Sequence, residues 1–337
     1  MLARTVENVY WLARYLERAE DTARLINVNT HLLLDLPPGL APGWLPLVDI
    51  TGNRALFDSS YEHNGAPSEE RDVVQFLVAD RNNPSSIVSS LNLVRENVRV
   101  LRDVLPSESW EELNRFFMEF SVDLPRGLGR RSRFDFLKRS ILMSQALTGM
   151  LEGTMSRNDA YIFMMLGRNV ERADMTSRIL DVRCAQLLPV GAPELRPIDG
   201  ILWMSVLRSL SGYAMYRLSR RTGVRRTDVL EFVLRDEQFP RACLMCLRQM
   251  QLCLQALPRH AAASHALATA CEFLREGDFE RLGRLELHEF IDRLQLHLNG
   301  VHTAIASTYF PARADTLQAA AQWQSMAASS LSLPLFH

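Results

Sequence analysis

Residues 163–180 read F-M-M-L-G-R-N-V-E-R-A-D-M-T-S-R-I-L, and they repeat a segment near the beginning of the chain. The earlier copy is residues 9–26, which lie 154 positions before the later one. Self-similarity at a fixed spacing predicts an internal duplication. The recurring residues are Arg14, Glu17, Arg18, Ala19, Thr22 and Arg24, which match Arg168, Glu171, Arg172, Ala173, Thr176 and Arg178.

The charged residues of each copy lie on one side of the predicted helix. At about 100° per residue, Arg14, Glu17 and Arg18 share one face, and their counterparts do the same in the second copy. The opposite face of the first copy is apolar, a pattern that is also typical of an amphipathic surface helix. In the second copy Met165 and Met175 are interleaved with the charges, which favours a buried helix.

A buried carboxylate requires a cationic partner and further hydrogen bonds, because an unpaired ion costs several kcal/mol away from water. We therefore expect the two helices to pack about a pseudo-twofold axis, each carboxylate bound by arginines of the other copy. Three interpretations stay open: a structural ion-pair network, a ligand-binding or catalytic site, and a solvated face. The predicted pairs are Glu17 with Arg172 or Arg168, and Glu171 with Arg18 or Arg14.

These residues resemble the alpha-E family, bacterial all-helical domains of unknown function that are named for a repeated Glu-Arg motif. The resemblance covers nearly the whole chain. The chain departs from the family pattern after F-P-R, where the family often has Ser and this chain has Ala242. The other motifs that carry the resemblance are N-P-S-S-I at 83–87, R-E-N at 95–97, G-T-M-S at 153–156, D-M-T-S-R-I-L-D-V-R at 174–183 and F-P-R at 239–241.

Members of this family tend to be encoded beside, or fused to, a circularly permuted ATP-grasp ligase, often with a transglutaminase-like protein. The resemblance thus implies a pathway that forms peptide or amide bonds, with the ligase as partner and the transglutaminase-like protein as a further one. It names no catalytic residue, so whether the chain is an enzyme stays open.

Two functions are compatible with the sequence. In the first, the chain is an accessory or catalytic partner of the ligase: arginines bind an anionic amino acid or peptide, and a glutamate orients or deprotonates an amine. In the second, it is a non-catalytic scaffold with structural Glu-Arg pairs and an outer surface that docks the ligase. A site requires a cavity, whereas a structural network is closed and saturated. The candidate residues are Glu17 and Glu171 for catalysis, and Arg14, Arg18, Arg168, Arg172 and Arg95 for ligand binding.

Arg95 belongs to a second polar stripe and to the R-E-N motif, so it is a secondary site candidate, with ordinary surface charge as the alternative. Cys243 and Cys246 form a C-x-x-C without a second pair at zinc-site spacing. His288 and Glu289 do not complete H-E-x-x-H, because residue 292 is Asp. The sequence therefore predicts no metal and no cofactor.

Composition is that of a globular protein, with 47% hydrophobic and 23% charged residues in a chain of 337. A formal net charge of −1 provides no general attraction for nucleic acid or for an anionic membrane surface. No run approaches the length of a membrane span. Five cysteines without a secretory signal are typical of a reducing compartment, so we expect a cytoplasmic protein.

Hydrophobic periodicity and capping residues predict helices throughout, hence an all-α, multi-helix bundle built from two related halves around the paired Glu-Arg helices. We expect one domain over residues 1–311 and a partly disordered, Ala-, Gln- and Ser-rich tail over 312–337. Residues 45–57 are expected to form one short helix, and 124–133 a flexible, solvated loop. The helix that ends near Met155 is expected to pack antiparallel against the second Glu-Arg helix.

Overall fold

The computed structural model describes residues 2–37, 41–61, 66–185, 196–220 and 223–310, and within these ranges it contains fourteen α-helices and no strand. The all-α expectation is confirmed, whereas the predicted tail lies outside the described residues. The helices are α1 Ala3–Asp35, α2 Leu45–Thr51, α3 Arg54–Ser60, α4 Ala66–Val78, α5 Ile87–Val100, α6 Ser107–Gly127, α7 Arg130–Thr154, α8 Asp159–Ala185, α9 Arg196–Ser209, α10 Tyr213–Ser219, α11 Arg226–Arg235, α12 Cys243–Gln255, α13 Ala261–Glu276 and α14 Arg284–Tyr309.

The two Glu-Arg helices, α1 and α8, pack side by side at the centre of the bundle. They run parallel, because a contact that lies later in α1 also lies later in α8. The Tyr10 carbonyl lies beside Gly167, and nearer the C-terminal ends of both helices Arg183 Nη2 donates to Asn29 Oδ1 at 3.0 Å. Close approach near Tyr10 is possible because Gly167 has no side chain, and a Cβ there would lie 2.2 Å from that carbonyl oxygen. The parallel pairing places matching positions of the two copies opposite each other.

The described helices of the two halves correspond in order and in packing. α5 and α12 begin 156 residues apart, while α6 and α13, and also α7 and α14, begin 154 apart. α5 and α7 pack on α1 as α12 and α14 pack on α8, and α6 packs on α7 as α13 packs on α14. Each central helix therefore has its own set of neighbours, an arrangement that a duplicated chain would produce.

Two local expectations were wrong. Residues 45–57 form two helices, because Gly52 takes the left-handed conformation (φ +73°) that ends α2 before α3 begins at Arg54. Residues 124–133 are almost entirely helical, since α6 continues to Gly127 and α7 starts at Arg130. Arg133 is buried there and donates to Glu70 Oε1 at 2.9 Å, so the segment is fixed by an ion pair.

The neighbour of α7 also differs from the expectation. α7 packs mainly on α1 and α6, and α14 takes the antiparallel place beside α8. Asn27 donates to the Phe134 carbonyl at 3.3 Å and Gln145 donates to Glu20 at 3.1 Å, so α7 runs antiparallel to α1. A short connection to α8 limits the distance between the helix ends but does not determine which faces meet.

Within the described ranges, each helix is too short or too polar to cross a membrane.

Candidate functional site

The charged face of α1 is not solvated. Apolar residues such as Val9 and Ala19 pack into the core on one side, while α8 covers the side that carries the charges. Arg14, Glu17 and Arg18 are only 7%, 3% and 5% exposed. The solvated-face interpretation is therefore wrong for these residues.

Glu171 accepts three hydrogen bonds from two arginines of α1. Arg14 Nε donates to Oε2 at 2.7 Å, and Arg18 binds both oxygens, through Nε to Oε1 at 2.6 Å and Nη2 to Oε2 at 3.0 Å. Burial alone would raise the pKa of Glu171, but the charges of Arg18 and Arg14 outweigh burial and lower it to about 2. Glu171 is therefore ionised at any ordinary pH.

Glu17 occupies the matching place on the other side of the pseudo-twofold axis. Arg172 Nε donates to Oε1 at 2.8 Å, and Arg241 Nη2 lies 2.7 Å from the same oxygen. Burial raises the pKa of Glu17, but Arg241 and Arg172 together hold it below its usual range. Two guanidinium groups thus contact each glutamate.

The predicted pairing of the two copies is confirmed. Glu17 meets Arg172, and Glu171 meets both Arg18 and Arg14. Arg168 contacts a different carboxylate, that of Glu152 at the end of α7, and its Nη2 also approaches Met165 Sδ at 2.8 Å. The glutamate of each Glu-Arg pair therefore binds the arginine of the other pair.

Arg241 was not among the residues proposed from the sequence. It precedes α12, far from both copies of the repeat, and it joins three carboxylates of α1. Besides Glu17, it binds Asp21 Oδ1 through Nη1 at 2.6 Å and Glu20 Oε1 through Nη2 at 3.0 Å. The F-P-R motif at 239–241 was the available signal, but its partners depend on a tertiary contact that spacing does not reveal.

The pair of Asp21 and Arg241 breaks the symmetry of the centre. The corresponding residues in the other half are Met175, at the spacing of the repeat, and Ser85, at the spacing of α5 and α12. Burial raises the pKa of Asp21 to about 7 against the attraction of Arg241, and repulsion from Glu17 and Glu20 adds to the rise. Asp21 is thus a carboxyl of the centre that changes protonation near neutral pH.

A neutral histidine, His302 of α14, covers the Glu-Arg centre next to Glu171. The Tyr10 hydroxyl lies 2.8 Å from His302 Nδ1, and Arg14 Nη1 lies 3.5 Å from the same nitrogen. Burial, and then the charge of Arg14, lowers the pKa of His302 to about 3. The neutral ring accepts a hydrogen bond from the Tyr10 hydroxyl at Nδ1, so α14 covers the Glu171 centre with a polar contact and adds no charge.

A family profile described as "a predicted alpha-helical domain with a conserved ER motif" matches residues 1–310. The chain belongs to the Alpha-E family. The reciprocal contacts between Glu17-Arg18 and Glu171-Arg172 give a structural meaning to the Glu-Arg motif in this Alpha-E chain: each copy supplies the counter-ion of the other.

Relatives of this Alpha-E chain include uncharacterized proteins from Mycobacterium bovis and Mycobacterium tuberculosis. Each is 23% identical over 319 residues, which cover 90% of this chain and 35% of the relative. A protein from another M. tuberculosis strain is 22% identical over the same length. The chain thus spans about a third of the length of these relatives. No solved structure matches it.

The contacts of Arg95 lie outside the Glu-Arg centre of this Alpha-E chain. Its Nε donates to Asn114 Oδ1 at 3.0 Å, and its guanidinium lies over the rings of Phe117 and Trp110, 5.1 and 5.6 Å from their centres. These contacts attach α5 to α6, which is a packing role.

The cysteines of the C-x-x-C are buried and free. Cys243 Sγ donates to the Ala173 carbonyl at 3.7 Å and Cys246 Sγ to that of Pro240 at 3.4 Å. Burial raises the pKa of both thiols, that of Cys246 to about 12. Protonated thiols of this kind are unreactive and pack α12 against its neighbours.

Ala242 occupies the N-cap of α12, where it makes no side-chain capping bond. Its counterpart Ser86 caps α5 by accepting from the Ser89 N–H at 3.1 Å. A hydroxyl at 242 could likewise accept from the Met245 N–H. We expect Ala242→Ser to raise the free energy of unfolding by about 1 kcal/mol, measured by urea unfolding. Ser86→Ala should lower it by a similar amount, and a destabilising Ala242→Ser would contradict the assignment.

Proposed function

We propose that this Alpha-E chain is an accessory helical protein in a pathway that forms amide or peptide bonds with an ATP-grasp ligase. Its Glu-Arg centre is structural, and its outer surface docks the ligase. The observation that carries the proposal is the saturation of Glu171, which accepts three N–H bonds and is 1% exposed. Both of its oxygens are occupied, and a substrate would have to displace Arg14 or Arg18.

The acid–base properties of the centre support the same proposal. A general base is effective when its pKa lies near the working pH. The pKa of Glu171 is about 2, and that of Glu17 is also lowered, so neither glutamate readily accepts a proton at neutral pH. Structural ion pairs explain these low values without a substrate.

The outer face of α6 is the surface that we assign to the ligase. Met118 and Val122, one turn apart, are 58% and 76% exposed. At the corresponding positions of α13, the 154-residue spacing places Glu272 and Glu276. One half of the bundle therefore presents two exposed apolar side chains where the other presents carboxylates, as expected if a partner covers only α6.

The length of the mycobacterial relatives is consistent with a docking role. Only 35% of each relative matches this chain, so the Alpha-E-like part is covalently joined to a longer polypeptide. A covalent link keeps two domains at high effective concentration. Because the ligase consumes ATP, we place the complex in the cytoplasm.

Co-expression with the circularly permuted ATP-grasp ligase of the same organism tests this proposal. We expect the two chains to co-elute in size-exclusion chromatography, and ADP release by the ligase to increase when the Alpha-E chain is present. Val122→Glu should weaken co-elution at least tenfold and leave thermal unfolding unchanged. Leu296→Glu is the matched control, since Leu296 is 66% exposed on α14. Equal co-elution of both variants, or no complex with wild type, would contradict the proposal.

A ligand site at Arg168 is the second candidate. Arg168 Nε is buried and has no hydrogen-bond partner among the described residues. The Glu152 side chain that meets Arg168 is 41% exposed, so this ion pair reaches the surface. A small anionic amino acid or peptide could bind Arg168 there. Thermal unfolding of wild type and Arg168→Gln with amino acids, dipeptides and ATP tests it: stabilisation of wild type alone supports a site.

A further inference from the structure

α8 and α14 bring three metal-ligating side chains together, away from the Glu-Arg pairs. Asp181 lies ten residues beyond Glu171 on α8, about 15 Å along the helix. His288 and Asp292 lie one turn apart on α14 and face it. One donor atom from each of the three side chains lies within 4.8 Å of the other two.

The imidazole of His288 sits between the two carboxylates. Its Nδ1 donates to Asp181 Oδ1, while its Nε2 lies 3.7 Å from Asp292 Oδ2. This separation is too long for a hydrogen bond. It is close to the distance between two ligands that each contact one ion at about 2.0–2.2 Å. For all three side chains to contact one ion, the hydrogen bond from Nδ1 to Asp181 has to open and that carboxylate has to turn toward the ion.

The charges around the cluster favour a cation. Asp181, Asp292 and the neighbouring Glu289 are acidic, and the nearby Arg178 already donates to Asp174 at 3.0 Å. Burial raises the pKa of Asp181 and that of Asp292, and the two carboxyls repel each other. A divalent cation would neutralise both carboxylates, which a single imidazolium cannot do.

Packing of the helices does not require this cluster. The 154-residue spacing relates Asp181, His288 and Asp292 to Asn27, Phe134 and Lys138 of the first half. There α1 and α7 make the equivalent crossing through a hydrogen bond from the Asn27 amide to the Phe134 carbonyl. The ligand set is therefore present in only one of two otherwise corresponding helix pairs.

We propose that Asp181, His288 and Asp292 bind one first-row divalent cation, such as Mn²⁺ or Zn²⁺, with water completing its coordination. One imidazole with two carboxylates is a mixed donor set that suits these ions. The three side chains are 19%, 47% and 25% exposed, so an ion can enter from solvent. Bound cation would connect α14 to α8 and stabilise that contact. The inference does not depend on the proposed docking of a ligase.

Titration of the chelator-treated full-length chain with MnCl₂, followed by electron paramagnetic resonance and calorimetry, tests the proposal. Mn²⁺ avoids competition from the buried thiols of α12. We expect one ion per chain, with micromolar affinity, and a rise in melting temperature. His288→Gln and Asp292→Asn should each weaken binding at least tenfold. MgCl₂ should bind more weakly, because imidazole is a poor ligand for Mg²⁺.

His297→Gln is the matched control, because His297 lies on the same helix and contacts the ring of Phe273 instead, with ring centres 4.8 Å apart. It should bind Mn²⁺ as wild type does. Circular dichroism of each variant checks that the helices are intact. Absence of stoichiometric binding in wild type, or unchanged affinity in both His288→Gln and Asp292→Asn, would overturn the proposal and leave the cluster as an ion-pair contact between α8 and α14.

Discussion

Gly167→Ala is expected to lower the free energy of unfolding by about 3 kcal/mol or more, because the new Cβ would lie 2.2 Å from the Tyr10 carbonyl oxygen. This oxygen belongs to the backbone of α1 and cannot rotate away from the new Cβ as a side chain could, so α1 and α8 would have to separate. Their separation would also lengthen the contacts of Glu171 with Arg14 and Arg18. Urea unfolding followed by circular dichroism measures the loss.

Gly149→Ala and Gly300→Ala are the controls for this effect. Both glycines lie inside helices, and a Cβ at either would meet nothing within 4 Å. Alanine is the better helix former, so each substitution should stabilise the protein by about 0.5–1 kcal/mol. If Gly167→Ala resembled these controls, the close approach of α1 to α8 at Tyr10 would be wrong.

The repeat allowed the central pair to be predicted from the sequence. Glu and Arg recur at matching positions among apolar residues, and burial of those charges requires partners of opposite sign. The other copy is the available source, which led to Glu17 with Arg172 and Glu171 with Arg18. The positions of the helices could also be predicted, because hydrophobic periodicity and capping residues are local signals.

Arg241 and the neighbours of α7 could not be predicted in the same way. The contacts of Arg241 span more than two hundred residues, and nothing in local spacing connects F-P-R with Asp21. Asp181 was overlooked for the same reason: H-E-x-x-D on α14 is incomplete until α8 supplies a third ligand. Local patterns reveal which faces are buried, but packing of distant segments determines which side chains meet.

The reciprocal ion pairs also explain why this buried core contains charged residues. Two parallel helices with similar apolar stripes could pack in several registers. Glu17 reaches Arg172, and Glu171 reaches Arg18, only when matching positions of the two copies lie side by side. Any shift by one turn would leave buried charges unpaired, at several kcal/mol each. We infer that the Glu-Arg pairs select the register of α1 against α8.

Glu171→Gln is therefore expected to cost about 3–5 kcal/mol, because Arg14 and Arg18 would both lose the buried carboxylate that they share. The melting temperature should fall by on the order of 10 °C. Glu96→Gln is the matched control: this half-exposed glutamate pairs with Arg99 on the surface of α5, and its loss should change stability by less than about 0.5 kcal/mol. Equal stability of the two variants would contradict a structural role for Glu171.

The pH dependence of the stability difference between wild type and Glu171→Gln shows whether Glu171 acts through its charge or through its shape. The pKa of Glu171 is about 2 in the folded chain, against an ordinary value of 4.5, so its stabilisation is present above pH 4.5 and is lost as pH falls toward 2. The gap between wild type and Glu171→Gln should shrink by about 3 kcal/mol over this range. Asp21 titrates in both proteins, with its pKa raised to about 7, so its contribution cancels. A gap that stays constant with pH would show that the glutamine disturbs packing, and the ion pairs would then not be what holds α1 to α8.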